Sequence, residues 1–172
     1  MSSTPAAPPK RGVTPKENSI KVLKHLLKET ELPKSLLVAM MANIAVETGY
    51  MFDYTIKQKG KRTDPAFGLF QFDPRGGLAS LYRDYLEYRK CDDSAEAQID
   101  MLVDIMLKVW KPGVSHVGGG NVNKVLEAAK EGHAPATEAF CSHILRPGKP
   151  HLDRRIAAIT MVESLLAEVV EV

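Results

Sequence analysis

The sequence predicts an α+β domain that is predominantly helical, with one small β-hairpin or sheet set beside the helix that carries Glu47. Three observations lead there. Apolar residues recur at three- and four-residue intervals along most of the 172-residue chain. Helix-starting and helix-stopping residues bracket those stretches. Between residues 53 and 73 the helical spacing lapses, and residues that favour extended structure take over.

Taken in order, residues 1–13 (MSSTPAAPPKRGV) are rich in Pro, Ala and Ser and read as a flexible leader, so that a single domain would occupy residues 14–172. Thr14-Pro15-Lys16-Glu17 opens the first helix: Thr14 as N-cap, Pro15 at the first position and Glu17 closing a capping box. Ile20, Leu23, Leu26 and Leu27 form its apolar face. Leu32-Pro33 opens a second helix through Leu36, Leu37, Met40, Met41 and Ile44, ended at Gly49. Tyr54-Thr55-Ile56 and Phe67 to Phe72 are expected as strands, joined by a tip at residues 57–62.

A third helix follows Gly77 and buries Leu78, Leu81, Tyr82, Tyr85 and Leu86. A fourth starts at Asp93, capped with Glu96, carries Met101, Leu102, Ile105, Met106 and Val109, and stops at Pro112-Gly113. Gly118-Gly119-Gly120 reads as a hinge or a close backbone approach before a short helix from Asn123 to Glu131, ended by Gly132. Another short helix spans Thr137 to Ile144, ended by Pro147-Gly148. The last begins near Leu152, with Ile156, Ile159, Val162 and Leu166 on its apolar face. There is no internal repeat.

Composition narrows the function classes. The chain is 44% hydrophobic and 26% charged, ordinary for one globular domain with a sizeable core. A net charge of +2 is too mild to argue for nucleic acid, yet does not oppose an anionic polymer. No apolar run is long enough to span a membrane and the N-terminus has no secretory signal, so work outside a cytoplasm would need another agent for delivery. Cys91 and Cys141 read as thiols. His133, Cys141, His143 and His151 match no usual zinc spacing, so no metal or other cofactor is expected.

The chemistry is expected at Glu47. At roughly 100° per residue it falls on the stripe of Leu36, Met40 and Ile44, away from a solvated face. A carboxylate at the end of an apolar stripe is partly desolvated, which raises its pKa. Its place in the last helical turn, near the carbonyl ends, also disfavours negative charge. Such a group can keep a proton near neutral pH, as acid catalysis of glycosidic cleavage requires. The competing reading is a half-exposed, structural Glu at a helix end.

Glu47-Thr48-Gly49, followed by Phe67-Gly68-Leu69-Phe70-Gln71-Phe72-Asp73, resembles the lysozyme superfamily. The pattern is most similar to goose-type lysozymes and lytic transglycosylases, in which a catalytic Glu at a helix end precedes a Gly-Leu-Met-Gln strand. Phe70 stands in place of the Met, and Thr48 where Ser is common. Downstream, Gln98 with Met101-Leu102-Val103, Phe140 through Arg146-Pro147-Gly148, and Arg155 are similar to phage endolysins and tail-associated lysozymes; that branch often has an acidic residue where Leu145 stands. The resemblance covers about residues 15–168.

The resemblance implies a lysozyme-like fold and a muramidase cleaving the β-1,4 bond between N-acetylmuramic acid and N-acetylglucosamine. Lytic transglycosylation, giving 1,6-anhydro products, and a non-catalytic wall-binding or virion module are the alternatives. Glu47 would be the acid. Asp73, at the place of the Asp given a water-activating role in goose-type enzymes, and Asp64 are candidates for a second carboxylate, with Asp53 behind them; turn formation explains either of the first two equally well. Substrate contacts are expected from Thr48, Tyr50, Gly68, Phe70, Gln71 and Gln98, with Tyr54 and Phe72 as further stacking rings. Aromatic residues at alternating positions are as often core, and Gln98 could equally be a satisfied buried amide. Lys57, Lys59, Lys61 and Arg62 read as a solvated turn or a contact to an anionic wall. The implied setting is a phage-encoded monomer, made in the host cytoplasm without a signal peptide. It would act on periplasmic peptidoglycan or travel in the virion, with no nucleic-acid or membrane partner.

Overall fold

In the computed structural model, which describes residues 13–60 and 63–170, the chain is predominantly helical. The leader therefore lies outside the described residues but for Val13, as do Lys61 and Arg62. Eight α-helices follow in order among the described residues: α1 Pro15–Leu27, α2 Lys34–Glu47, α3 Leu78–Arg89, α4 Ala95–Met106, α5 Lys111–Val117, α6 Gly119–Glu131, α7 His133–Ala139 and α8 Leu152–Val170. A π-helical turn, Phe140–Leu145, continues α7.

Helix α2 is the axis of the fold. Its residues from Leu36 to Ala45 are all buried, because α8, α7, α6, the π-turn and α1 pack around it. The expected one-sided stripe is thus a helix apolar all round, the signature of a central core helix. Asn43 is the polar residue in that run. Its Nδ2 donates to the carbonyls of Ala39 (2.8 Å) and Thr137 (3.3 Å). Local signals at α1 act as read: Thr14 Oγ1 accepts from the Glu17 amide, and Glu17 Oε1 accepts from the Thr14 amide.

The expected β-hairpin does not form. Among the described residues of 48–77 there are only two isolated antiparallel bridges, Lys57 with Phe67 and Phe67 with Phe72. Phe67 and Phe72 exchange both backbone hydrogen bonds (3.2 and 2.8 Å), so the chain doubles back within six residues instead of running on as a strand. Gly68 at φ +87° and Gln71 at φ +52° make that reversal. The alternating aromatic residues that suggested a strand serve a core cluster. Phe72 lies 5.0 Å from Tyr82 and 6.0 Å from Phe70, and Phe70 lies 6.0 Å from Phe140, centroid to centroid.

Several helix boundaries also move. Ser94, not Asp93, caps α4, its hydroxyl accepting from the Ala97 amide at 3.0 Å. Asp93 is taken instead by the Tyr82 hydroxyl and the Gln98 amide. Pro112-Gly113 does not stop α4, which ends at Met106 and leaves Val109 exposed; Pro112 lies in the first turn of α5, where its missing N–H costs no bond. Gly119 and Gly120 belong to α6, and the segment expected as one helix over Thr137 to Ile144 is the end of α7 plus the π-turn. On α8 the buried face is Arg155, Ala158, Ile159, Val162, Leu165 and Leu166, with Ile156 at its edge.

Candidate active site

The last turn of α2 opens onto a groove of about 350 Å³. Glu47, Phe70, Gln71 and Asp73 contribute from the α2 end and the loop that follows it. The π-turn region adds His143 through Gly148, and α5 adds His116 and Val117. The two halves of the expected motif therefore meet: the Glu at the helix end shares one cleft with Phe70, Gln71 and Asp73.

Glu47 is 12% exposed, and its Oε2 accepts from Arg155 Nη1 at 2.9 Å. Arg155 is itself 2% exposed. Its Nε donates to the Pro150 carbonyl at 2.6 Å, and its Nη1 also donates to Asn43 Oδ1 at 3.0 Å. Burial raises the Glu47 pKa, and this outweighs the nearby Arg155 charge and hydrogen bond, which both lower it. The carboxyl thus has two unlike oxygens. One is anchored to a buried guanidinium, while Oε1 has no hydrogen-bond partner among the described residues.

The other expected site residues divide sharply. Gln71 and Phe70 line the groove, although Phe70 is only 1% exposed. Gln71 Nε2 donates to the Gly68 carbonyl at 2.9 Å and to the Ile56 carbonyl at 3.4 Å, which leaves the amide oxygen as its remaining hydrogen-bonding group. Asp73 lines the groove, with its Oδ1 accepting from the Arg75 amide at 2.9 Å and lying 3.7 Å from Arg75 Nε. Asp64 is exposed and does not line it; Asp53 is spent on the amide and hydroxyl of Thr55.

Thr48 is buried, donating to the Ile44 carbonyl and accepting from the Phe52 amide, so it caps α2 and does not line the groove. Tyr50 is exposed on another surface, beside Pro15, Phe52 and Met161. Tyr54 is half-buried against the core, and its carbonyl accepts from Gln98. Gln98 is wholly buried behind the loop. It accepts from the Leu69 amide (2.8 Å) and donates to the Tyr54 carbonyl (3.2 Å) and Asp93 (3.0 Å). Gly68 belongs to that same joint, since a Cβ there would sit 2.6 Å from Gln98 Oε1. Thr48, Gly68 and Gln98 are scaffold for the groove and do not line it.

Arg155, Asn43, His116 and the groove positions of His143 and Arg146 were not singled out by spacing as site residues. A signal for Arg155 exists: it stands four, seven and eleven residues before Ile159, Val162 and Leu166, a cation in register with an apolar stripe. His133 and Cys141, weighed with His143 as metal ligands, lie elsewhere: His133 Nδ1 pairs with Ser35 Oγ, and the buried Cys141 thiol faces the Pro150 carbonyl. Compared with known proteins, the chain matches no protein-family model, no curated protein and no solved structure.

Proposed function

We propose that the chain is a peptidoglycan-degrading muramidase with a lysozyme-like fold, and that Glu47 protonates the bridging oxygen of the β-1,4 bond. The observation that carries this reading is Glu47 itself: a carboxyl with its pKa raised by burial, one oxygen anchored and the other unengaged, lining a groove together with Gln71 and Asp73. Oε1 gives its proton to the leaving sugar oxygen as the glycosidic C–O bond breaks. Arg155 then faces a full carboxylate and stabilises it. That carboxylate can take the proton back from an attacking water, which regenerates the acid and leaves a reducing end. Asp73, the candidate second acid that lines the groove, orients that water on this reading.

Lytic transglycosylation differs only in the attacking group, the sugar's own C6 hydroxyl, with Glu47 acting as acid and then base. A second reading has one specific observation in its favour. The buried Arg155 needs an anion, and Glu47 supplies it. On that reading the pair is structural and the domain an idle wall-binding or virion module. The phage setting implied by the resemblance suits either. No helix among the described residues is long and apolar enough to cross a membrane.

Turbidity loss of outer-membrane-permeabilised bacteria or purified peptidoglycan separates these. Wild type clears the suspension and Glu47→Gln does not; wall binding without clearance in both proteins refutes the enzymatic reading. Mass spectrometry of the released muropeptides shows reducing ends for hydrolysis and 1,6-anhydro ends for transglycosylation.

A further inference from the structure

The charges lining the groove are unevenly answered. Both of its carboxylates are engaged, Glu47 by Arg155 and Asp73 by the amide and guanidinium of Arg75. Its basic side chains are not: Arg146, His143 and His116 have no hydrogen-bond or ion-pair partner among the described residues. The backbone that presents Arg146 to the groove is fixed locally. Arg146 ends the π-turn in the left-handed region (φ +47°, ψ +53°), its amide donates to the Cys141 carbonyl at 2.7 Å, and Pro147 stiffens the chain behind it. The His116 ring is seated as closely, against Gly77 at φ +92°, where a Cβ would lie 2.7 Å from Nε2.

Arg146 is exposed, and an exposed unpaired arginine by itself means little, because water solvates it. In a cleft whose carboxylates are already compensated, the same group leaves uncancelled positive potential at the place a ligand enters. A planar guanidinium meets a carboxylate through two parallel hydrogen bonds, and imidazoles beside it add further donors.

We infer that the groove selects glycan that bears free carboxylates, with Arg146 as the principal contact and His143 and His116 beside it. This rests on the glycan-cleaving reading and narrows it. The recognised unit is the sugar chain together with a carboxylate of its peptide stems, not the pyranose rings alone.

Calorimetric binding to Glu47→Gln tests this without turnover, using three probes: soluble peptidoglycan fragments with free stem carboxylates, the same fragments after amidation of those carboxylates, and neutral oligomers of N-acetylglucosamine. Free-carboxylate fragments should bind about 10-fold more tightly than amidated ones, the effect of one charge-assisted contact. Adding Arg146→Gln should erase the difference, and Arg146→Lys should restore part of it. Arg146 is exposed, so an unchanged thermal transition is expected in both variants. Wild type at low temperature provides the same comparison should Glu47→Gln fold poorly. Equal affinity for free and amidated fragments, a preference that survives Arg146→Gln, or binding to none of the probes overturns the inference. A preference that depends on Arg146, in a protein whose wild type clears no wall, upholds it while removing the catalytic reading.

Discussion

Replacing Arg155 with Met tests the anchor of the site. The substitution keeps apolar volume but removes all three donated bonds, to Glu47 Oε2, Asn43 Oδ1 and the Pro150 carbonyl. Removing one partner of a buried ion pair typically costs about 3–5 kcal/mol. The two other acceptors, one on a fully buried Asn, cost about 1 kcal/mol or more each, partly offset by better packing of Met. The expected loss at neutral pH is therefore about 4 kcal/mol. It should depend on pH. The folded-state pKa of Glu47 lies above its ordinary value of 4.5, and Arg155 is what restrains it. A carboxyl raised by folding contributes stability that is fully present below its unfolded pKa and lost as pH climbs through the folded one. Without Arg155 the folded pKa climbs further, so the loss spans a wider window above 4.5. The difference between variant and wild type must then shrink on acidification, leaving only the orphaned neutral acceptors. Urea unfolding followed through Trp110, the chain's single and buried tryptophan, measures it. A difference that is the same at neutral and acidic pH, or below about 1 kcal/mol throughout, refutes the account of the pair.

Clearance of peptidoglycan should decline as pH rises through the raised pKa of Glu47, since the proton donor is lost; a rate that stays level far into the alkaline range removes the acid role. Asp73→Asn should slow clearance by about tenfold or more while Asp64→Asn leaves it near wild type, because only Asp73 lines the groove; equal rates for the two variants end the assignment of Asp73. Gln98→Ala orphans the Leu69 amide and the Tyr54 carbonyl and takes one donor from Asp93, so urea unfolding should show a loss of about 2–4 kcal/mol. Gly68→Ala should destabilise wild type by about 2 kcal/mol, yet only about 1 kcal/mol in the Gln98→Ala background, where the clash is gone and the positive φ remains; full additivity contradicts that joint.

Legibility followed the range of the interaction. The α1 capping box spans three residues, and its two hydrogen bonds form as spacing suggests. Glu47 was readable because its desolvation follows from the apolar turns just before it in α2. The loop was misread because alternating aromatic residues at Phe70 and Phe72 suit both a pleated strand and a tight reversal buried in a core. Pairing across the tip stops at the Gln58 amide on the Ala66 carbonyl and the Gly68 amide on the Ile56 carbonyl, because the Leu69 amide goes to Gln98 and the Phe72 amide closes the reversal. Tyr50 directly follows the Glu47-Thr48-Gly49 motif in sequence but lies on another face, beyond the Thr48 cap of α2.

By itself the sequence determined a mostly helical chain, the positions of most of its helices, and a carboxyl at the end of its most apolar one. Those are consequences of periodicity and capping, which act within a few turns. Only the tertiary structure decided that Arg155, 108 residues away, holds Glu47 in place, that Gln98 and Gly68 brace the loop from behind, and that Asp73 and not Asp64 lines the groove. A buried charge takes as partner whichever opposite charge the packing of α2 against α8 delivers, and no local spacing encodes that choice.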